Sequence, residues 1–283
     1  MRGEKGKVIC VWSPLLHGEG CTTIACSLGF ALHLRSRERI LIVNKSDSIA
    51  GMEKFVDKDI AIKYSMDNLK IFNEGINSEH ILAYATQINS NLRMLAGSRL
   101  DRKITGIGTE FDRLFMEGCT EGYDLTIVDL GTGIEKENSM YLEYADVVIA
   151  VVTPNEIVLD QLFSDYLRRT ALGYFTANKA VAVVNKLCGE WNVNSILDRY
   201  QEIYSMDRVY GINYDGELLN SCCIDRRMYS FFMNKFDSRR SECMQQLNQL
   251  CIAVSDKLGI ILSEDEAVIP GGLFSRFRRI SLY

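Results

Sequence analysis

The sequence predicts an α/β protein whose doubly wound, mostly parallel sheet is flanked by helices. Short runs rich in valine and isoleucine alternate with helical patterns along the chain, as expected when each strand is followed by a crossover helix. Because these runs are apolar throughout, each strand is expected to be buried on both faces of the sheet. Residues 1–268 are therefore predicted to form one domain, and residues 269–283 a basic amphipathic tail.

Each predicted strand is one of these apolar runs, and the first is "KVICVW" at 7–12. The other predicted strands lie at 39–44, 91–97, 125–130, 147–153, 180–185 and 208–213. Helices are predicted at 21–36, around 67–87, and at 109–119, 156–172, 192–204 and 238–258. The three prolines, Pro14, Pro154 and Pro270, stand at the edges of these elements. The first two follow strands, where the ligand-facing loops of such sheets emerge.

The composition argues against a nucleic-acid partner and against a metal centre. The chain carries a formal charge of −5 and has a pI near 5.4, so nucleic acid is not expected to bind. Its nine cysteines include no C-x-x-C pair, and its three histidines lie far apart. Neither a zinc site nor an iron–sulfur site is therefore expected. Reduced, mostly buried thiols are predicted instead.

The chain is expected to be cytoplasmic. Its start, "MRGEKGKVICVW", passes from a basic run directly into a strand, without the apolar region and cleavage site of a signal peptide. No apolar run approaches the roughly 18 to 20 residues that a membrane-spanning helix needs. Any contact with a membrane is therefore expected to be peripheral, on its inner face.

A glycine-bearing loop, "LHGEGCTT", joins the first predicted strand to the first predicted helix. In a phosphate-binding loop, glycines bring backbone N–H groups to the phosphate oxygens, a lysine neutralises their charge and a hydroxyl reaches magnesium. Gly18 and Gly20 could supply the backbone groups, and Thr22 or Thr23 the hydroxyl. The start of the helix would add the positive end of its dipole. However, Cys21 stands where the lysine is expected.

This loop resembles that of the MinD/ParA family of P-loop ATPases, whose variant sequence reads K-G-G-x-G-K-[ST]-T. On that pattern Leu16 and Cys21 stand at the two lysines, and His17 stands at a glycine. The positions that match are Gly18, Gly20, Thr22 and Thr23. In the family the first lysine reaches across a nucleotide-sandwich dimer, so Leu16 removes a contact that favours a homodimer.

The resemblance covers roughly residues 7–260. "YDLTIVDLGTG" is similar to a later strand motif of the family, which implies that Asp129 holds magnesium through water. "AVAVVNK" is similar to a further strand, which implies that Asn185 contacts adenine. The implied site for ATP and magnesium consists of Gly18, Glu19, Gly20, Cys21, Thr22, Thr23, Asp129 and Asn185, with Thr22 and Asp129 at the metal.

These residues also have simpler structural interpretations, which stay open at this point. Cys21 could pack its thiol against the sheet, Asp129 could cap the turn that follows it, and Asn185 could be an ordinary turn former. The loop itself could be a structural turn that binds no nucleotide.

Hydrolysis is expected to be very slow or absent. After the second strand the family carries D-x-D, whereas this chain reads "NKS" from Asn44 to Ser46, with Asp47 one place late. The missing carboxylates and lysines would remove the charge stabilisation and water positioning that phosphoryl transfer needs. Lys45 or Lys136 would have to reach inward to replace a missing lysine.

The tail that follows Pro270 has an amphipathic pattern. At about 100° per residue, bulky apolar residues share one face and three arginines occupy the other. This composition is typical of a helix in the headgroup layer of an anionic membrane, and the MinD branch of the family also ends in such a segment. The tail could instead fold back on the domain or be disordered. The residues predicted to contact the membrane are Leu273, Phe274, Arg276, Phe277, Arg278, Arg279 and Ile280.

The resemblance implies a membrane-associated spatial organiser with a degenerate ATP site. Such a protein would position a secretion, pilus or division apparatus, as the TadZ/CpaE branch of the family does for pili. Its implied partners are an anionic membrane surface and a protein of that apparatus, and a homodimer stays open. Two other functions also stay open: an active ATPase for DNA partitioning or septum placement, and a nucleotide-free interaction domain.

Overall fold

An eight-stranded, mostly parallel sheet forms the centre of the molecule, which confirms the predicted fold class. The computed structural model describes residues 5–14, 18–45, 51–98, 109–133, 136–155, 179–188, 198, 209–236 and 241–263. The strands are β1 Lys7–Ser13, β2 Ile40–Asn44, β3 Thr86–Asn89, β4 Leu92–Leu95, β5 Leu125–Thr132, β6 Val147–Val152, β7 Ala180–Leu187 and β8 Val209–Asn213.

The order of the strands across the sheet is β3-β4-β2-β5-β1-β6-β7-β8. Every neighbouring pair is parallel except β3 with β4, which is antiparallel. All seven predicted strands are confirmed, and β3 is an additional edge strand. Because the strands on either side of β1 are parallel to it, the loops after β1, β2, β5 and β7 emerge at one edge of the sheet.

The helices pack on both faces of this sheet. The α-helices in the described ranges are α1 Cys21–Arg35, α2 Glu53–Val56, α3 Met66–Leu69, α4 Ser78–Tyr84, α5 Thr109–Gly122, α6 Lys136–Tyr144, α7 Gly216–Cys223, α8 Met228–Lys235 and α9 Glu242–Leu258, and a 3₁₀ helix spans Lys70–Gly75. The predictions at 21–36, 109–119 and 238–258 correspond to α1, α5 and α9. The helix predicted at 156–172 lies outside the described residues, and so does that at 192–204 except for residue 198.

The single helix predicted around 67–87 is wrong. The segment holds α3, the 3₁₀ helix and α4, and it ends in β3. The side chain of Asn77 accepts a hydrogen bond from the backbone N–H of His80 and so begins α4 as a new helix. Thr86 then pairs with Met94 in the antiparallel ladder, so pairing with β4 overrides the helical pattern there.

The two faces of the sheet hold two separate apolar clusters, and β2 shows how its residues divide between them. Ile42 belongs to the cluster that contains α1 and α9, whereas Val43 belongs to the cluster that contains α4, α5 and α6. Because side chains alternate along a strand, Asn44 continues the first face and Lys45 the second. This alternation decides which of them can reach the glycine loop at the start of α1.

Most of the thiols are buried, as predicted, since only Cys188 and Cys223 are exposed among the cysteines. No helix among the described residues combines the length and apolarity needed to cross a membrane. The boundary predicted between residues 268 and 269 and the whole tail lie outside the described residues, so both stay predictions.

Candidate nucleotide site

The glycine loop leads directly into α1 at the carboxyl edge of the sheet. Gly18 and Gly20 adopt left-handed backbone conformations, with φ of 105° and 94°, which favour glycine at both positions. A side chain at Gly18 would meet no atom of the described residues within 4 Å, so this part of the loop is open toward them. The predicted neighbours Leu16 and His17 lie outside the described residues.

A hydroxyl and a carboxylate meet at the head of this loop. Thr22 Oγ1 donates a hydrogen bond of 2.6 Å to Asp129 Oδ2, across from α1 to β5. The other carboxylate oxygen accepts the backbone N–H of Gly131 at 3.0 Å. Asp129 therefore does cap the backbone that directly follows it, at Gly131 near the end of β5, and it also contacts the loop helix. The sequence predicted both residues at the same metal position, and the structure places them in contact.

Burial changes the acidity of Asp129. The residue is fully buried, and burial raises the pKa of its carboxyl to about 6, although the Thr22 hydroxyl and the Gly131 N–H offset part of this shift. A carboxylate in such a position is stabilised by a cation that replaces the lost water. The Thr22–Asp129 pair is thus suited to a divalent ion.

The end of β7 holds the glycine loop from the other side. Asn185 is buried, and its Nδ2 donates a hydrogen bond of 2.7 Å to the carbonyl oxygen of Glu19. The ammonium of the next residue, Lys186, donates to the carbonyl oxygen of Gly18. Lys186 itself has a positive φ of 60°, which is uncommon for a residue other than glycine. The two side chains together fix the backbone of the loop.

Lys186 was not predicted to belong to the site. Its position directly after Asn185 at the end of a strand was the only signal in the sequence. The ammonium lowers the pKa of Cys21 slightly against a larger upward shift from burial, which shows that its charge reaches the start of α1.

Cys21 is a packed thiol, as its simpler interpretation predicted. It is buried in the cluster of α1, and burial raises its pKa well above the usual range, with further contributions from the charges of Asp129 and Glu19. A thiol in this environment stays protonated and is a poor nucleophile. It therefore offers no charge to a phosphate.

Lys45 cannot replace the missing lysine in this structure, because it points away from the loop. Its Nζ lies 2.6 Å from Asp112 Oδ1, and both side chains are almost fully buried. The ammonium also lies 5.2 Å from the centre of the Tyr141 ring, and the Tyr141 hydroxyl donates to the same carboxylate. The side chain of the other candidate, Lys136, lies outside the described residues.

Two further residues of the predicted site, Thr23 and Glu19, have different surroundings. Thr23 lines a small cavity of about 60 Å³ beside Asn185, together with Ser27 and Ile212. Glu19 is buried, and its Oε2 accepts no hydrogen bond from any described residue. A buried carboxylate within the loop opposes the binding of a phosphate, so Glu19 weakens the site electrostatically.

The loop backbone and the Thr22–Asp129 pair fit the phosphates and the metal of a magnesium nucleotide. The charges of the loop side chains fit it poorly. The loop backbone at Gly18, the start of α1 and the Thr22–Asp129 pair match a phosphate and its metal. In contrast, Cys21 supplies no positive charge and Glu19 supplies a negative one. The Lys186 ammonium lies at the Gly18 carbonyl, but both lysine positions of the resembled loop are uncharged, which reduces the stabilisation available to a transferring phosphoryl group.

The sheet order and the strand–loop–helix at its centre together define a P-loop nucleotide-binding fold. No protein-family model matches the sequence, and no curated protein matches it. Solved structures do match. A ParA family ATPase from Chlorobium tepidum superposes with a TM-score of 0.71 at 16% identity, covering 87% of this chain and 98% of that one.

Two further structures carry a nucleotide. The septum site-determining protein MinD from Pyrococcus horikoshii, in complex with Mg-ADP, gives a TM-score of 0.63 at 16% identity, with 90% of this chain and 97% of that one covered. A substituted McdA from Cyanothece, in complex with ATP, superposes with a TM-score of 0.66 at 14% identity, covering 93% of this chain and 100% of that one. The chain therefore has the fold of the ParA and MinD ATPases, which confirms the resemblance seen in the sequence at the level of the fold.

Proposed function

We propose that this chain is a MinD/ParA-like spatial organiser that binds a magnesium nucleotide and hydrolyses it very slowly or not at all. The observation that carries the proposal is the 2.6 Å contact between Thr22 Oγ1 and Asp129 Oδ2 at the head of the glycine loop. The two groups proposed to hold the metal lie together there, whereas both lysine positions of the resembled loop are uncharged.

Different residues would contact the phosphates, the magnesium ion and the base. The backbone N–H groups between Gly18 and Thr23 would hold the phosphates, and Thr22 and Asp129 would hold magnesium. Asn185 would keep the loop in its binding conformation and lie beside the base. When bound, magnesium would neutralise phosphate charge and orient the phosphate oxygens.

Slow or absent hydrolysis follows from three positions. Leu16 and Cys21 are uncharged, and the ammonium of Lys45 is held by Asp112 on the opposite face of the sheet. Positive charge close to the transferring group commonly contributes several orders of magnitude in rate. A nucleotide bound here would therefore act as a conformational ligand rather than as a substrate.

The tail is proposed to attach this domain to the inner face of the membrane. Leu273, Phe274, Phe277 and Ile280 would enter the headgroup layer, and the three arginines would contact anionic lipid. A segment of about three turns binds weakly alone, so a second copy of the chain or a protein partner would strengthen the attachment. The apparatus positioned in this way would be a secretion, pilus or division complex on the inner membrane face.

A second candidate is an interaction domain that binds no nucleotide. The buried Oε2 of Glu19, which has no hydrogen-bond partner among the described residues, favours it, because a triphosphate would approach that charge. A crystal structure with Mg-ADP discriminates the two. The proposal requires phosphates over residues 18–23 and the base beside Asn185, whereas a loop that stays empty at saturating nucleotide supports the interaction domain.

A further inference from the structure

A carboxylate from outside the predicted motifs lies beside the end of β2. Glu53 begins α2, and its Oε2 accepts a hydrogen bond of 3.1 Å from Asn44 Nδ2. Asn44 is 1% exposed and ends β2. It occupies the first position of the "NKS" stretch, where the sequence alone indicated that a carboxylate is missing.

Asn44 and Asp129 are register partners on the neighbouring strands β2 and β5. Parallel strands lie about 4.8 Å apart, and partner residues project to the same face. The Asn44 amide therefore stands next to the Asp129 carboxylate, on the side of the sheet that carries α1. Glu53 extends this row of polar groups by one side chain.

The Glu53 carboxylate lies directly over Gly51. A Cβ atom at Gly51 would lie 2.2 Å from Glu53 Oε1 and 2.4 Å from Oε2, so a larger residue there would displace the carboxylate. The side chain is only partly buried, which leaves it open to a ligand or to water. The geometry thus keeps a negative charge near Asn44 at a partly exposed point.

Both carboxylates also act on a thiol of α1. Burial raises the pKa of Cys26, and the charges of Asp129 and Glu53 raise it further. Cys26 follows Thr22 by four residues, so the two lie on the same face of α1. Asp129 and Glu53 therefore both act on the first two turns of the helix that begins at the glycine loop.

We propose that Glu53 supplies the carboxylate that the end of β2 lacks, and that it positions the water shell of the magnesium ion. This inference rests on the proposed function, because it assigns a residue to the same nucleotide site. Magnesium keeps several of its waters in protein sites, and carboxylates that do not touch the ion accept hydrogen bonds from those waters. Glu53 is thus a positioning residue, acting through Asn44 and water beside Asp129.

Glu53→Gln separates this role from a purely structural one. A glutamine keeps an oxygen that can accept the Asn44 hydrogen bond, but it removes the negative charge. If Glu53 only shaped the turn, the change would leave the effect of magnesium on nucleotide affinity unaltered. If Glu53 serves the metal, the change reduces that effect specifically.

The test measures ATP affinity of the full chain by calorimetry, once with magnesium and once with EDTA. The ratio of the two affinities reports the coupling between metal and nucleotide. We expect Glu53→Gln to lower this ratio about fivefold, while affinity in EDTA stays equal or rises because a negative charge is lost. Glu79→Gln, an exposed position in α4, serves as the matched control and keeps the wild-type ratio.

A second variant tests the assignment by rescue. Asn44→Asp combined with Glu53→Gln returns a carboxylate to the end of β2, and we expect it to recover most of the lost ratio. An equal ratio in wild type and Glu53→Gln would overturn the role of Glu53 and leave the proposed function standing. If the wild-type chain binds no ATP with magnesium present, the proposed function fails, and this assignment fails with it.

Discussion

The ammonium of Lys45 and the carboxylate of Asp112 form a buried ion pair, 2.6 Å apart, on the face of the sheet opposite the glycine loop. Lys45 directly follows Asn44, whose side chain lies on the loop side. A shift of one residue along β2 would therefore have placed a positive charge on the side of the glycine loop. Because side chains alternate along the strand, the Lys45 ammonium instead contacts residues of α5 and α6.

Removing one partner of this pair should be strongly destabilising. In Asp112→Ala the Lys45 ammonium would remain buried without its carboxylate, and such changes commonly lower the free energy of unfolding by about 3 to 5 kcal/mol. Urea denaturation measures the effect, with Glu121→Ala on the exposed side of the same helix as the control. Equal urea midpoints for Asp112→Ala and Glu121→Ala would mean that the ion pair does not stabilise the fold.

Acid should weaken the fold through His33. This histidine is 1% exposed and lies 3.3 Å from the Tyr229 hydroxyl, and burial lowers its pKa, an effect that Asn91 partly offsets. The unfolded chain therefore binds a proton more readily as the pH falls below about 6.5. Stability that is complete above this pH is lost as the pH decreases further, by at most about 1.4 kcal/mol per pH unit for one proton.

The measurement is a set of urea denaturation curves at neutral and mildly acidic pH. His33→Gln cannot take up the proton, so its free energy of unfolding should depend less steeply on pH between about 6.5 and 5. A slope identical to that of the wild type would contradict the assignment of this pH dependence to His33.

ATP turnover should be at background, and a single charge at the start of α1 should strengthen nucleotide binding. Cys21→Lys places an ammonium where the resembled loop carries one, and a charged contact to phosphate should improve affinity about tenfold or more, which is about 1.4 kcal/mol. Phosphate release and ATP titration measure the two effects, with Cys188→Lys at an exposed thiol as the control. A wild-type rate well above background that Asp129→Ala abolishes would contradict the expected loss of hydrolysis.

The tail should carry membrane affinity. Each large apolar side chain that enters the headgroup layer contributes about 1.5 to 3 kcal/mol before ordering costs, and each arginine near anionic lipid about 1 kcal/mol. Sedimentation with anionic liposomes should therefore recover the full chain, and less of it at high salt. A chain ending at Ile269 and the variant Phe277→Glu should stay in the supernatant. Equal sedimentation of the shortened chain would show that the membrane affinity lies elsewhere.

The sequence predicted seven of the eight described strands and brought Thr22, Asp129 and Asn185 to the carboxyl edge of the sheet. Strand identity follows from local apolar runs, so β1, β2 and β4 to β8 could be read directly. Thr22, Asp129 and Asn185 lie at the ends of such elements, and the parallel sheet brings those ends together. Local pattern and topology therefore determine this part of the site.

The sequence did not reveal contacts that depend on side-chain direction or on pairing with distant residues. From the sequence, Lys45 was a candidate to replace the missing lysine. Its partner Asp112 is 67 residues away, so no local pattern shows their contact. Glu53 reaches Asn44 through space that a side chain at Gly51 would occupy. Similarly, β3 forms through its pairing with β4, which no pattern within 86–89 predicts.

Calorimetric titration of the purified full chain with Mg-ATP decides whether the glycine loop binds a magnesium nucleotide through Thr22 and Asp129. We expect saturable binding to one site, about tenfold or more weaker in Asp129→Ala, because that change removes the metal contact. Asp256→Ala, at an exposed position of α9, should bind like the wild type. Absence of binding at millimolar nucleotide, or equal affinity in wild type and Asp129→Ala, would contradict this mode of binding.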